Sequence, residues 1–203
     1  MGITILFLLS SCRKNEKAKT AELCRELENS VMLSPAFDSL VKMSMGLPNF
    51  FRSKVLLVAG RCYSTKVEQM QQARIYLREA YRIAPRDVKN LVALELTRLY
   101  GSLILRDSCV EEAIRFISRV PSKVVFTREE EAKFYYLGAC FFKSIDIDRA
   151  FRAVDQALSL YRGLSDTEGE IEAYRLNATL YGVLQEYEEQ YACYEEAYRL
   201  LRR

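Results

Sequence analysis

Chemistry in this chain would have to come from thiols and carboxylates, because its 203 residues include no histidine. That removes the commonest general base and a frequent metal ligand. Six cysteines are present: Cys12, Cys24, Cys62, Cys109, Cys140 and Cys193. None forms a C-x2-C pair, and a zinc site without histidine would need four sulfurs or carboxylates from distant segments. Cys62 and Cys140 each stand two residues after a glycine, Gly60 and Gly138. That repeated placement predicts packing as small apolar residues. Cys24, Cys109 and Cys193 share no spacing and are read as buried thiols. The carboxylate runs Glu129-Glu130-Glu131 and Glu195-Glu196 offer acid–base candidates. An acidic first turn more simply complements a helix dipole, and the second run reads as a solvated face. Neither a glycine-rich phosphate loop nor a G-x-S-x-G turn occurs. No catalytic residue, metal site or cofactor is expected.

What positions these side chains is a repeated helical unit. Ala73-Leu77-Ala80, Ala113-Ile117-Val120 and Ala150-Val154-Ala157 each place a small, a large apolar and a small residue at i, i+4, i+7. Gln190-Tyr194-Ala197 keeps the offsets without the first alanine. Such spacing lines one helical face. The copies begin at 73, 113, 150 and 190, so the unit recurs after 40, 37 and 40 residues. Recurrence at that period marks a helical solenoid. Ahead of each copy stands a second small–aromatic pair: Gly60 with Tyr63, Thr97 with Tyr100, Gly138 with Phe141, Ala178 with Tyr181. A residue with little side chain lets a partner helix approach, and the aromatic fills the seam beside it. Each small residue is therefore expected to face the second helix of its own pair. Leu56, Ala93, Phe134 and Tyr174 precede the small positions by four.

This pattern resembles the tetratricopeptide (TPR) family, whose units read aromatic-x2-Leu-Gly-x2-Tyr, then Ala-x3-Phe-x2-Ala, then Pro. The third copy matches best, with Phe134, Leu137, Gly138, Phe141, Ala150, Val154 and Ala157. Pro85 stands where the terminal proline belongs in the first copy. The resemblance covers residues 50–203 and implies an all-α fold. Its form would be a right-handed superhelical solenoid of antiparallel helix pairs, about four repeats with an N-terminal capping hairpin.

Turn chemistry agrees. Ser108 with Glu111, Thr127 with Glu130, and Ser165 with Glu168 fit the capping box that satisfies orphan N–H groups at a helix start. Asp87 is placed as an N-cap after Pro85, and Pro121 stops the helix of the second copy. Ser34-Pro35 reads as the start of a helix that Gly46 and Pro48 end. No run alternates long enough for a sheet, and Val124-Val125-Phe126 reads as a linker.

The N-terminus is apolar from Met1 to Leu9 except for Thr4, too short to span a bilayer. Leu9-Ser10-Ser11-Cys12 followed by Arg13-Lys14 resembles the bacterial lipobox, where cleavage precedes a cysteine that carries diacylglycerol. That resemblance implies residues 1–11 as a cleaved signal peptide, Cys12 as the lipidation site, 12–33 as a tether and 34–203 as the solenoid. It implies a cell-envelope lipoprotein on the outer membrane, facing the periplasm. The basic residue expected before the apolar run is missing. Myristoylation of Gly2 is one rival, although Leu6 stands where that motif wants Ser or Thr, and a buried apolar helix start in a cytosolic protein is the other.

Net charge is +3, with basic residues spread along every predicted helix, which is not the footprint of a nucleic-acid binder. The family resemblance implies a protein partner in a groove lined by first helices. Arg61, Arg98, Tyr135 and Arg175 are the candidates there, residue types that often anchor interfaces. The lysine–asparagine clamp of the chaperone-binding subset is absent. A stripe of Tyr187, Tyr191, Tyr194 and Tyr198 on the last helix is expected to dock a second copy of the protein or sequence downstream. The function expected is non-catalytic protein binding. A cytosolic adaptor or the sensor portion of a signalling regulator are the alternatives.

Overall fold

The offsets of the repeated unit land on helices throughout. A computed structural model describes residues 15–26, 39, 41–103 and 109–202. Helix α1 spans Asn49–Ser64, α2 Met70–Ile83, α3 Arg86–Leu103 and α4 Val110–Arg119. Then follow α5 Arg128–Phe142, α6 Ile147–Leu164, α7 Thr167–Leu184 and α8 Tyr187–Leu201. Residues 15–26 are helical as well, with Thr20 and Leu23 buried. A 3-10 turn at Ser44–Gly46 precedes α1. The described residues contain no strand, and the protein is all-α. Cys12, Ser34-Pro35 and Ser108 lie outside the described residues.

The chain divides into two compact units, Met1–Leu99 and Tyr100–Arg203, with the boundary inside α3. In the first, α1 packs on α2. Ala73, Leu77 and Ala80 are buried, and the Tyr63 ring meets that of Tyr76 at a tilt of 53°, with centroids 5.4 Å apart. In the second, α5 packs on α6, α6 on α7 and α7 on α8. Helices joined by two to four residues and packed side by side run antiparallel. Tyr100 sits at the end of α3, and its hydroxyl donates to Glu112 Oε1 of α4 at 2.6 Å. The cores are built from the predicted faces: Ala113, Ile117 and Val120; Ala150, Val154 and Ala157; and Phe134 with Phe141.

Four local expectations need correction. In α8 the buried face is Cys193, Ala197 and Leu200, while Tyr194 is 46% exposed. The i, i+4, i+7 set is thus displaced by three residues from Gln190-Tyr194-Ala197. Tyrosine tolerates solvent, and the smaller Cys193 fits the seam. Thr127 and Glu130 form a complete capping box. Ser165 does not, because it adopts a left-handed conformation that ends α6, and the carboxylate of Asp166 caps α7 through the Gly169 N–H at 2.9 Å. Asp87 lies within the first turn of α3, while the Pro85 carbonyl accepts from the Val88 and Lys89 N–H groups. Gly60 faces Leu77 of its own second helix, but the nearest atom to a Cβ on Gly138 is Ile117 Cγ2 of α4, 4.0 Å away.

Candidate functional site

Within each compact unit, helices about one repeat apart reach each other through polar side chains. In the first unit, Arg61 of α1 donates from Nε to Glu95 Oε1 of α3 at 2.9 Å. Arg98, one turn on from Glu95, donates Nε and Nη2 to Glu95 Oε2 at 3.0 and 2.7 Å, and Nη2 also reaches Ser64 Oγ at 3.3 Å. Two of the predicted groove residues, Arg61 and Arg98, therefore converge on one carboxylate. The Glu95 side chain is only 18% exposed, while those of Arg61 and Arg98 are 46% and 51% exposed. Glu95 holds the guanidinium planes in place, and the cluster keeps one net positive charge at the surface. A guanidinium carries five donors, so an arginine pinned through Nε alone still presents its outer N–H groups to an acceptor. Exposed pairs of this kind add little stability, so their contribution is orientation.

In the second unit the matching link runs from α5 to α7, where the Tyr136 hydroxyl donates to Glu172 Oε2 at 2.9 Å. Arg175 Nη1 stands 3.4 Å from the other Glu172 oxygen. Burial pushes the Tyr136 phenol well above its usual range, with the nearby Cys140 and Glu172 adding to it, so it remains a donor. Tyr135, the predicted groove residue, turns elsewhere. It lines a shallow cavity of about 100 Å³ with Pro121, Val124, Phe126, Glu131 and Phe134, on the linker between α4 and α5. Phe126 stacks on Phe134 there, with centroids 5.2 Å apart. Tyr135 and Arg175 are therefore not drawn together; the neighbouring Tyr136 makes the reach to α7. Glu95, Tyr136 and Glu172 were missed from sequence. A usable signal existed, because Arg61–Glu95 and Tyr136–Glu172 are 34 and 36 residues apart, close to one repeat.

The thiols are unreactive where their ionisation is perturbed. Burial raises Cys140 and Cys193 above the ordinary thiol range, which keeps them protonated and poorly nucleophilic. Glu129, Glu130 and Glu131 occupy the first turn of α5. Glu196 pairs with Arg199 on an exposed face of α8. Among the described residues no group of three or more Cys, Asp or Glu is placed to hold a metal ion. No described helix is long and apolar enough to cross a membrane.

No family model, no curated protein and no solved structure matches this chain.

Proposed function

We propose that the chain is a non-catalytic protein-interaction scaffold, a right-handed superhelical solenoid of tetratricopeptide type with about four repeats. In this reading it is held at the bacterial cell envelope by lipid on Cys12. The observation that carries the reading is the polar bridging of first helices one repeat apart, Arg61 to Glu95 and Tyr136 to Glu172. Stacked helical pairs bring equivalent helices side by side at that separation and line one surface with them. The partner lies on this surface and presents carboxylates or backbone carbonyls to Arg61 and Arg98. Within the second unit, Arg175, with its side chain 64% exposed, offers the same donor chemistry on its own helix.

The test is cross-linking in envelope extract with wild-type protein and with the Arg61→Glu/Arg98→Glu variant. A partner lost with the double reversal, while circular dichroism stays unchanged, supports the reading. Identical capture by both overturns the surface assigned here. The anchor is tested separately. Cys12→Ala releases the protein to the soluble fraction if Cys12 carries lipid. A wild-type protein that is soluble and begins at Met1 returns the reading to a cytosolic adaptor.

A further inference from the structure

Helix α8 buries Cys193, Ala197 and Leu200 against α7 and turns a second apolar row outward. That row is Tyr187, Tyr191, Tyr194, Tyr198 and Leu201, with exposures of 66%, 65%, 46%, 60% and 66%. Its steps are four, three, four and three residues, the 3.5-residue repeat of a coiled-coil seam. Val183 and Leu184 at the end of α7 add exposed apolar surface just ahead of it. Concentrations of exposed apolar side chains of this kind mark interaction surfaces.

The charges on α8 are graded along its length. Glu188 and Glu189 occupy its first turn, Glu195 and Glu196 its middle, and Arg199 and Arg202 its end. At about 100° per residue, Glu188, Glu195 and Arg202 fall on the same flank of the tyrosine row. Arg202 lies over the Tyr198 ring at 5.4 Å, beside the row.

We infer that a second copy of this chain docks on the tyrosine row, the two α8 helices packing antiparallel about a two-fold axis at Tyr194. A two-fold interface needs a patch complementary to itself. The antiparallel arrangement supplies that: Tyr194 meets Tyr194, Tyr191 faces Tyr198, Tyr187 faces Leu201, and on the flank Glu188 faces Arg202. Parallel packing would carry this flank to the opposite side of the seam in the second copy, so Glu188 and Arg202 would have no partner across it. Glu195, nearest the axis, makes the one like-charge meeting, so its neutralisation tightens the pair.

The experiment is sedimentation of the full chain across the micromolar range, combined with disulfide trapping. Wild type forms a concentration-dependent dimer. Tyr194→Glu weakens it at least about tenfold by setting charge against charge in a desolvated seam. Glu188→Arg weakens it several-fold, and adding Arg202→Glu restores it to within about threefold of wild type. Both sites are exposed, so helicity by circular dichroism stays at the wild-type level. Above the wild-type background, Tyr194→Cys cross-links to its own copy. Tyr187→Cys does not, being about 20 Å from its equivalent at 1.5 Å per residue. A wild-type chain that remains monomeric overturns the inference. Tyr187→Cys cross-linking as readily as Tyr194→Cys overturns it too, because that is the parallel arrangement.

Discussion

In the α1–α2 hairpin, a Cβ on Gly60 would lie 2.5 Å from Leu77 Cγ, whereas the matching Gly138 of α5 has nothing nearer than Ile117 Cγ2 at 4.0 Å. Both glycines are buried, and both are followed three residues later by a buried aromatic, Tyr63 or Phe141. The same motif therefore does two jobs. Gly60 is a notch that Leu77 enters, so the glycine sets how closely the helices approach. Gly138 is a buried position with a methyl-sized margin and no side chain driven into it. Glycine in a helix interior costs about 0.5–1 kcal/mol relative to alanine. At Gly60 the close approach offsets that cost; at Gly138 no contact does. Small-residue spacing thus marks a buried face without naming the neighbour that fills it.

The largest expected effect comes from removing the tooth of the notch. Leu77, 1% exposed, loses its contacts in Leu77→Ala at a cost of about 2–5 kcal/mol, measured by urea unfolding. Gly60→Ala alone costs about 1–3 kcal/mol, because the methyl collides with the branch of a buried leucine rather than a mobile side-chain end. In the Leu77→Ala background most of that penalty disappears, giving a coupling of about 1–2 kcal/mol. The parallel cycle of Gly138→Ala with Ile117→Ala is additive to within about 0.5 kcal/mol. Equal coupling in the two cycles would erase the distinction between the hairpins.

Next in size is an alkaline effect in the second unit, where a notch does exist. Any Cβ on Gly169 of α7 would run into the ring of Tyr161 from α6. Tyr161 is 8% exposed. Burial, with the Asp166 carboxylate second, pushes its phenol up to about 12. A group whose pKa is higher when folded than when unfolded favours the folded state while it is protonated. That contribution is whole below about pH 10, the ordinary phenol value, and is lost as pH rises through about 12. The loss reaches roughly 2 kcal/mol by pH 12. Tyr161→Phe removes this component, so its stability falls less steeply between pH 10 and 12 than that of wild type. Equal slopes would show that the ring in the Gly169 notch is not desolvated.

Much of the fold was legible because the repeated offsets report helical faces directly. Ala73, Ala113 and Ala150 each begin a buried stripe, and the all-α assignment needs little more. Three of the misreadings share one cause, a choice between near-equivalent residues that only packing decides. Tyr194 and Cys193 are adjacent, and the seam took the smaller side chain. Ser165 and Asp166 are adjacent, and the chain spent the first on a left-handed turn, with φ of 57°, and the second on the cap. Tyr135 and Tyr136 are adjacent, and the phenol that reaches Glu172 is the second. The candidate site was half legible for the same reason. Arg61 and Arg98 follow from the register, but Glu95, which joins them, is one of many helix-surface carboxylates until the first helices are side by side.

The caps give a smaller contrast between helix starts in the second unit. Thr127→Ala removes the hydroxyl that accepts from the Glu130 N–H at 3.2 Å, while the backbone N–H of residue 127 can still donate to the Glu130 carboxylate, and costs about 1 kcal/mol in urea unfolding. Asp166→Ala loses a comparable cap, whereas Ser165→Ala stays within about 0.5 kcal/mol of wild type, since alanine and serine meet the left-handed turn with the same Cβ. A large loss at Ser165 would mean that its hydroxyl caps α7 after all.

The smallest effect carries the opposite sign and bears most directly on the two glycines. Gly138→Ala places a methyl about 4.0 Å from Ile117 Cγ2, an ordinary van der Waals separation, so nothing has to move. The unfolded chain loses backbone freedom, and the helix gains a better former. The variant is therefore expected to be more stable by about 0.5–1 kcal/mol, where Gly60→Ala is less stable than wild type. Growing the side chain to leucine uses up the margin, because the added branches need space that a single methyl does not, and overpacking then reverses the gain. The order Ala above Gly above Leu at position 138, set against Gly above Ala at position 60, separates a slack glycine from a notch. If alanine at 138 destabilised the chain as it does at 60, the 4.0 Å margin would not exist in solution, and both glycines would be contact points of the same kind.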